Sequence, residues 1–153
     1  MVPKEEKAFR AAFHLLKFRM RSVSELRERL LRKDFDEDVV NKVISKLEQK
    51  DYLNDKTFAE ALIKSRMKKN YGALRIKREL LQKGVSKELI ETEFEKLKPE
   101  ENLAEFAQKK LSSYRGLDPE HALQRLNRNL LQRGFTPDLV YETCEKLRQK
   151  ITK

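Results

Sequence analysis

Apolar residues recur along this chain with a helical rhythm. Leu26, Leu30 and Leu31 precede Val39, Val40, Val43, Ile44 and Leu47, and such spacings of three and four place side chains on one face of a helix. The pattern returns 50 and 100 residues later without a gap. Leu26 aligns with Ile76 and Leu126, and Leu30-Leu31 with Leu80-Leu81 and Leu130-Leu131. Val40 aligns with Ile90 and Val140, and Leu47 with Leu97 and Leu147. Agreement of apolar type at so many positions identifies a repeat. Strand-like alternation is absent.

Each repeat reads as three helices. The opening helix aligns least well and is predicted near 5–20, 55–69 and 100–115. The middle helix of the first repeat starts with Ser22 as N-cap and Glu25 three residues on, a capping box; in the third repeat Asp118-Pro119 supplies a cap followed by proline at the first helical position. Its apolar positions 26, 30 and 31, with their equivalents, are expected on one buried face. The middle helices end at Asp34, Gly84 and Gly134, residue types that tolerate left-handed backbone. Asp36, Ser86 and Thr136 then cap the third helices. The predicted fold is all-α: three tandem three-helix repeats at 1–52, 53–98 and 99–153, forming an elongated curved array because each unit mainly contacts its neighbours. The boundaries, near 52–54 and at Lys98-Pro99, are short.

Composition supports folding despite a charged fraction of 39%. Leu, Ile, Val and Phe make up 42 of 153 residues, above the roughly 20% level of unfolded chains. Four Gly and four Pro are too few for the turns of a sandwich. No apolar run reaches membrane-spanning length. The N-terminal residues lack the regions of a signal peptide, and a single cysteine, Cys144, fits a reducing compartment. The chain is expected to be soluble and cytoplasmic.

No constellation for catalysis or metal binding emerges. His14 and His121 have no ligand partners at metal spacing, and His121 is expected in a surface or capping role. Four scattered glycines form no phosphate cradle. Cys144 aligns with Ile44 and Phe94 and reads as a buried small hydrophobe. Glu88, Glu91, Glu93 and Glu95 read as a solvated face. The sequence therefore points away from an enzyme and calls for no cofactor.

Positive charge is more informative. The net charge is +10, with 13 basic against 9 acidic residues in 1–50, 12 against 9 in 51–100 and 10 against 7 in 101–153. Between Lys64 and Arg78 lie Lys64, Arg66, Lys68, Lys69, Arg75, Lys77 and Arg78 and no acidic residue. Lys17, Arg19 and Arg21 precede the first middle helix, and Arg125, Arg128 and Arg133 lie on the third. A basic stripe is the footprint of a polyanion partner, the bland alternative being a solvated face; its contacts would go to phosphates. Tyr71 is placed either to stack on a base or, as helix-end tyrosines more often do, to pack against its own repeat.

Tyr52-Leu53-Asn54-Asp55, Phe58-Ala59, Arg66, Gly72, Arg75-Ile76, Glu79-Leu80 and Lys83-Gly84-Val85 resemble the central signature of the RecX family, small bacterial regulators of the RecA recombinase. The resemblance covers essentially the whole chain, being fairly specific in the second repeat, weaker in the first and generic in the third. Asp51 departs from it, since a glycine is common there. It implies a regulator that binds RecA, lies in the groove of the RecA–single-stranded DNA filament and inhibits ATP hydrolysis and strand exchange. Arg66, Lys69, Arg75 and Arg78 would face that interior, with Lys68 and Lys77 in support and Arg19, Arg21, Arg125 and Arg128 as secondary positions. The competing reading is a stand-alone basic protein that contacts DNA phosphates non-specifically. No membrane or small-molecule partner is implied. An array of three units should have a radius of gyration above the roughly 15 Å of a compact sphere of this length; small-angle scattering that returns the compact value contradicts the array.

Overall fold

Most helix starts and stops follow local chemistry along the described chain, residues 3–98, 100 and 102–151 of the computed structural model. Pro99 of the second predicted boundary lies outside the described residues. The helices are α1 (Pro3–Phe18), α2 (Val23–Arg32), α3 (Glu37–Gln49), α4 (Asp55–Lys68), α5 (Ala73–Gln82), α6 (Lys87–Leu97), α7 (Leu103–Ser112), α8 (Pro119–Gln132) and α9 (Pro137–Ile151). Among the described residues there is no strand.

All but one of the expected caps form. Ser22 Oγ accepts from Glu25 N while Glu25 accepts from Ser22 N, closing the capping box of α2. Asp118 accepts from His121 N at 2.8 Å at the start of α8. Ser86 and Thr136 accept from Leu89 N and Leu139 N. Asp36 has N-cap backbone geometry, but its side chain makes no capping hydrogen bond. The turns after α2, α5 and α8 pass through left-handed backbone at Asp34 (φ 67°), Gly84 (φ 82°) and Gly134 (φ 95°).

Three expectations need correction. Leu31, Leu81 and Leu131 are not on the buried face: they are 41, 52 and 41% exposed, whereas Leu26, Leu30 and their equivalents are fully buried. Residue 31 lies about 100° around the helix from residue 30, beyond the stripe that the core covers. Glu93 is not part of a solvated face. It is 1% exposed, at the repeat position where Val43 and Thr143 are also buried. The third opening helix is shorter than predicted, ending at Ser112 before a turn through Gly116 (φ 82°). α8 starts at Pro119 and runs for 14 residues, against 10 in α2 and α5.

The chain forms two compact units. The first comprises Met1–Ala61 with Leu80–Glu93, the second Leu62–Glu79 with Phe94–Lys153. In the first, Ala8, Ala12 and Leu15 of α1 pack with Leu26 and Leu30 of α2, Val40, Val43, Ile44 and Leu47 of α3, and Leu53. Complete burial of such a leucine contributes roughly 1.5–3 kcal/mol. The second has a matching core of Leu103, Ala107, Leu123, Leu126, Leu130, Phe135, Val140, Cys144 and Leu147.

Inside the first unit, the start of α2 is seated on the turn after α5. Ser22 Oγ donates to Lys83 O, and Val23 N donates to Asp55 Oδ1 at 2.8 Å. Glu25 receives Arg19 at 2.7 Å and Lys83 at 3.2 Å. Burial pushes the Glu25 carboxyl up, but the hydrogen bonds from Arg19, Ser22 N and Lys83 outweigh it and bring it from an ordinary 4.5 down to about 2. A carboxyl with a depressed value in the fold stabilises it fully above its unfolded value and loses that contribution as pH falls from 4.5 towards 2. We expect Glu25→Gln to lower stability at neutral pH by about 1–2 kcal/mol and to flatten this acid limb. Chemical denaturation across the acid range measures both effects, and parallel curves for the two proteins would show that the network contributes nothing.

Candidate functional site

The basic segment from Lys64 to Arg78 lies on the C-terminal half of α4, the connection to α5 and the first two turns of α5, all inside the second unit. Its residues have different fates. The Arg66 guanidinium forks onto Glu79, Nε to Oε2 at 2.8 Å and Nη2 to Oε1 at 2.5 Å, with both side chains about a quarter exposed. The hydrogen bond to Glu79 raises the Arg66 pKa against the opposing effect of burial. Arg66 therefore ties α4 to α5 and leaves the set of cations open to a partner. Lys77 is half-buried over the Phe94 ring, 5.0 Å from its centroid. Lys64, Lys68, Lys69, Arg75 and Arg78 are exposed.

Arg75 is exposed but not loose. Its guanidinium stacks 3.8 Å from the centroid of Tyr71, which holds one face of the cation and leaves its edge N–H groups to solvent. Arg133 approaches Tyr71 at 5.8 Å and Phe106 at 4.8 Å, while donating to Lys69 O and to Asn129 Oδ1, each at 3.0 Å. Of the two readings of Tyr71, engagement within its own unit is the one observed, by Arg75 and Arg133.

This stack lies beside a second helix seat. α5 begins at Tyr71-Gly72, where no side chain caps it. Its first N–H groups are instead taken by the turn after α8: Gly72 N donates to Arg133 O at 2.8 Å and Leu74 N to Gly134 O at 2.9 Å. Both glycines are needed for this approach. A Cβ on Gly72 would overlap the Gly134–Phe135 backbone, and one on Gly134 would lie 2.6 Å from Arg75 N. The sequence contained a signal for this contact, the absence of a cap at a helix start beside a glycine, but not its partner.

The secondary cations divide similarly. Arg19 is paired with Glu25, and Arg21 donates from Nε to Leu15 O at 3.2 Å; burial, then the neighbouring Arg19 and Arg29, lower the Arg21 pKa. Arg125 is exposed with its guanidinium 4.9 Å from the Tyr114 ring. Arg128 is exposed at a cavity of about 500 Å³ between α8 and α9, which Tyr141, Cys144 and Arg148 also line. Burial raises the Cys144 thiol pKa, the reverse of what a nucleophile needs. His121 contacts its own cap, Asp118, and His14 packs edge-on against Phe18. Among the described residues no cluster of three or more His, Cys, Asp or Glu is arranged to hold a metal, and no helix is long and apolar enough to cross a membrane. The exposed set Lys68, Lys69, Arg75, Arg78, Arg125 and Arg128 suits oxyanion binding by charge and guanidinium hydrogen bonding.

Three family models match in sequence order: the first three-helix domain of RecX over residues 8–47, the second over 54–92 and the third over 99–144. The chain belongs to the RecX family. A regulatory protein RecX of Halalkalibacterium halodurans is 40% identical over 75 residues, 48% of this chain and 28% of that protein. One from Bacillus velezensis is 45% identical over 65 residues, covering 42% and 25% of the two chains. One from Haemophilus influenzae is 35% identical over 72 residues, covering 47% of each. The aligned stretch thus spans between a quarter and a half of these RecX relatives. The crystal structure of RecX from Lactobacillus salivarius matches with a TM-score of 0.85 at 25% identity, over 97% of this chain and 99% of that one. A second crystal structure, of a regulatory protein RecX, shares the fold with a TM-score of 0.78 at 23% identity, covering 94% of this chain and 73% of that one.

Several residues of the RecX-like signature now have physical roles. Asn54 Oδ1 accepts from Lys56 N and Thr57 N to cap α4, Asp55 caps α2, and Arg66 and Glu79 are partners. We expect a double-mutant cycle of Arg66→Ala and Glu79→Ala to give a coupling of about 1–2 kcal/mol in urea unfolding, with Arg66→Lys restoring only part because it lacks the fork. Additive losses would show that the pair is not coupled.

Proposed function

We propose that the chain is a non-catalytic regulator that binds RecA and its single-stranded DNA filament in the cytoplasm, lies in the filament groove, and lowers ATP hydrolysis and strand exchange. The observation that carries this reading is the ordered match to all three RecX domains. It is supported by exposed cations gathered in the second unit, of which Arg75 is held by Tyr71 before any partner arrives. A planar cation whose orientation is already restricted loses less freedom on meeting a carboxylate or phosphate. In this reading Lys68, Lys69, Arg75 and Arg78 are the main contacts, with Arg125 and Arg128 in support and Lys64 and Lys77 at the margin. Arg66, Arg19 and Arg21 shape the surface through their internal bonds. This reading calls for no cofactor or small-molecule substrate.

The same exposed cations also fit a stand-alone protein that grips DNA phosphates. Salt and substrate separate the two. Binding to bare single strands through Z phosphates weakens with a slope near −0.7Z in log–log form, and a filament regulator must bind the RecA filament more tightly than naked DNA of equal length. We expect substoichiometric protein to inhibit RecA ATPase and strand exchange. We also expect joint charge reversal at Lys69, Arg75 and Arg78 to weaken inhibition by about 10-fold or more with helicity unchanged by circular dichroism. Equal affinity for filament and naked DNA, or no inhibition, rejects the regulator.

A further inference from the structure

The seat that holds a middle helix on the following turn occurs twice in this chain, and each half of it occurs once more with nothing seated. The unoccupied turn is Lys33-Asp34. It has the same left-handed course as its counterparts, φ 67° against 82° and 95°. Both residues are exposed, and among the described residues neither carbonyl takes a hydrogen bond of the kind that Lys83, Arg133 and Gly134 accept. The unoccupied helix start is that of α8. Position 122 corresponds to Ser22 and Gly72, but here it lies one turn inside the helix, where Ala122 N already donates to Asp118 O at 3.0 Å.

Each free half is altered at the point where a partner would approach. A Cβ at Gly84 would overlap the Ser24 side chain, and one at Gly134 would press on Arg75. Asp34 carries that Cβ, with a carboxylate beyond it. Aspartate tolerates left-handed backbone better than most residues, so the turn keeps its shape while its docking face is closed. At the other half, the added turn Pro119–Ala122, fixed by Asp118 and by proline at its first position, fills the place of an incoming turn and satisfies the N–H groups that one would bind.

We infer that Asp34 and the added first turn of α8 are end stops that prevent a second copy of this chain from pairing with the free halves of the seat. Repeat proteins with complementary open ends add copies head to tail without closure. Growth needs an open turn on one copy and an open helix start on the next, since the complements inside each copy are already occupied.

Sedimentation velocity of the full chain over a range of concentrations tests this. Wild type, Asp34→Gly alone, and Asp118→Gly with Ala122→Gly should each sediment as monomer. The three substitutions together open both halves, and their average mass should rise with concentration. Using Asp34→Ala in place of Asp34→Gly in that variant restores a Cβ and should return it to monomer. A triple variant that keeps its helicity and stays monomeric overturns the inference. Should the α8 glycines unfold the helix, melting temperatures decide the steric premise. Asp34→Gly should leave the midpoint unchanged or raise it, whereas Gly84→Asp and Gly134→Asp should each lower it by on the order of 10 °C. Equal small shifts at all three turns overturn it.

Discussion

A helix start leaves four backbone N–H groups without partners inside the helix, and the way α5 meets that requirement organises the second unit. Tyr71-Gly72 provides no capping side chain. The carbonyls of Arg133 and Gly134 serve instead, which obliges a turn 60 residues away to come within hydrogen-bond distance of the α5 backbone. That approach requires two residues without side chains facing each other, and it fixes where Tyr71, Arg75 and Arg133 meet. In the first unit the same requirement is met differently: Ser22 caps its own helix, Asp55 takes the Val23 N–H, and the turn carbonyl of Lys83 accepts from the serine hydroxyl. The two seats share a position in the repeat and differ in chemistry.

Most of the fold was legible because its determinants are local. The capping box at Ser22, the proline after Asp118 and the left-handed stops at 34, 84 and 134 each act within a few residues, so sequence spacing captures them. Sequence spacing does not carry an outcome that depends on another part of the chain. Leu31 and its equivalents carry an apolar side chain just outside the covered stripe, and only the packed neighbours define the edge of that stripe. Glu93 is a different case: its charge points to solvent, but the repeat register, which aligns it with Val43 and Thr143, marks the position as core-facing.

The candidate surface shows the same division. A run of basic residues is visible in the sequence, but which of them remain open depends on carboxylates and rings brought in by folding. Glu79 engages Arg66, Glu25 engages Arg19, and the Leu15 carbonyl engages Arg21. Arg75 occupies an intermediate state, held by a ring on one side and open at its edge. Net charge alone treats these residues as equivalent; their geometry makes some of them internal fasteners and others surface donors.

A seat built from main-chain carbonyls, main-chain N–H groups and missing Cβ atoms asks little of the side chains around it. Its specification reduces to a few small residues and a left-handed turn, so neighbouring positions are free to drift without disturbing the chain path. Fold and surface chemistry then vary almost independently.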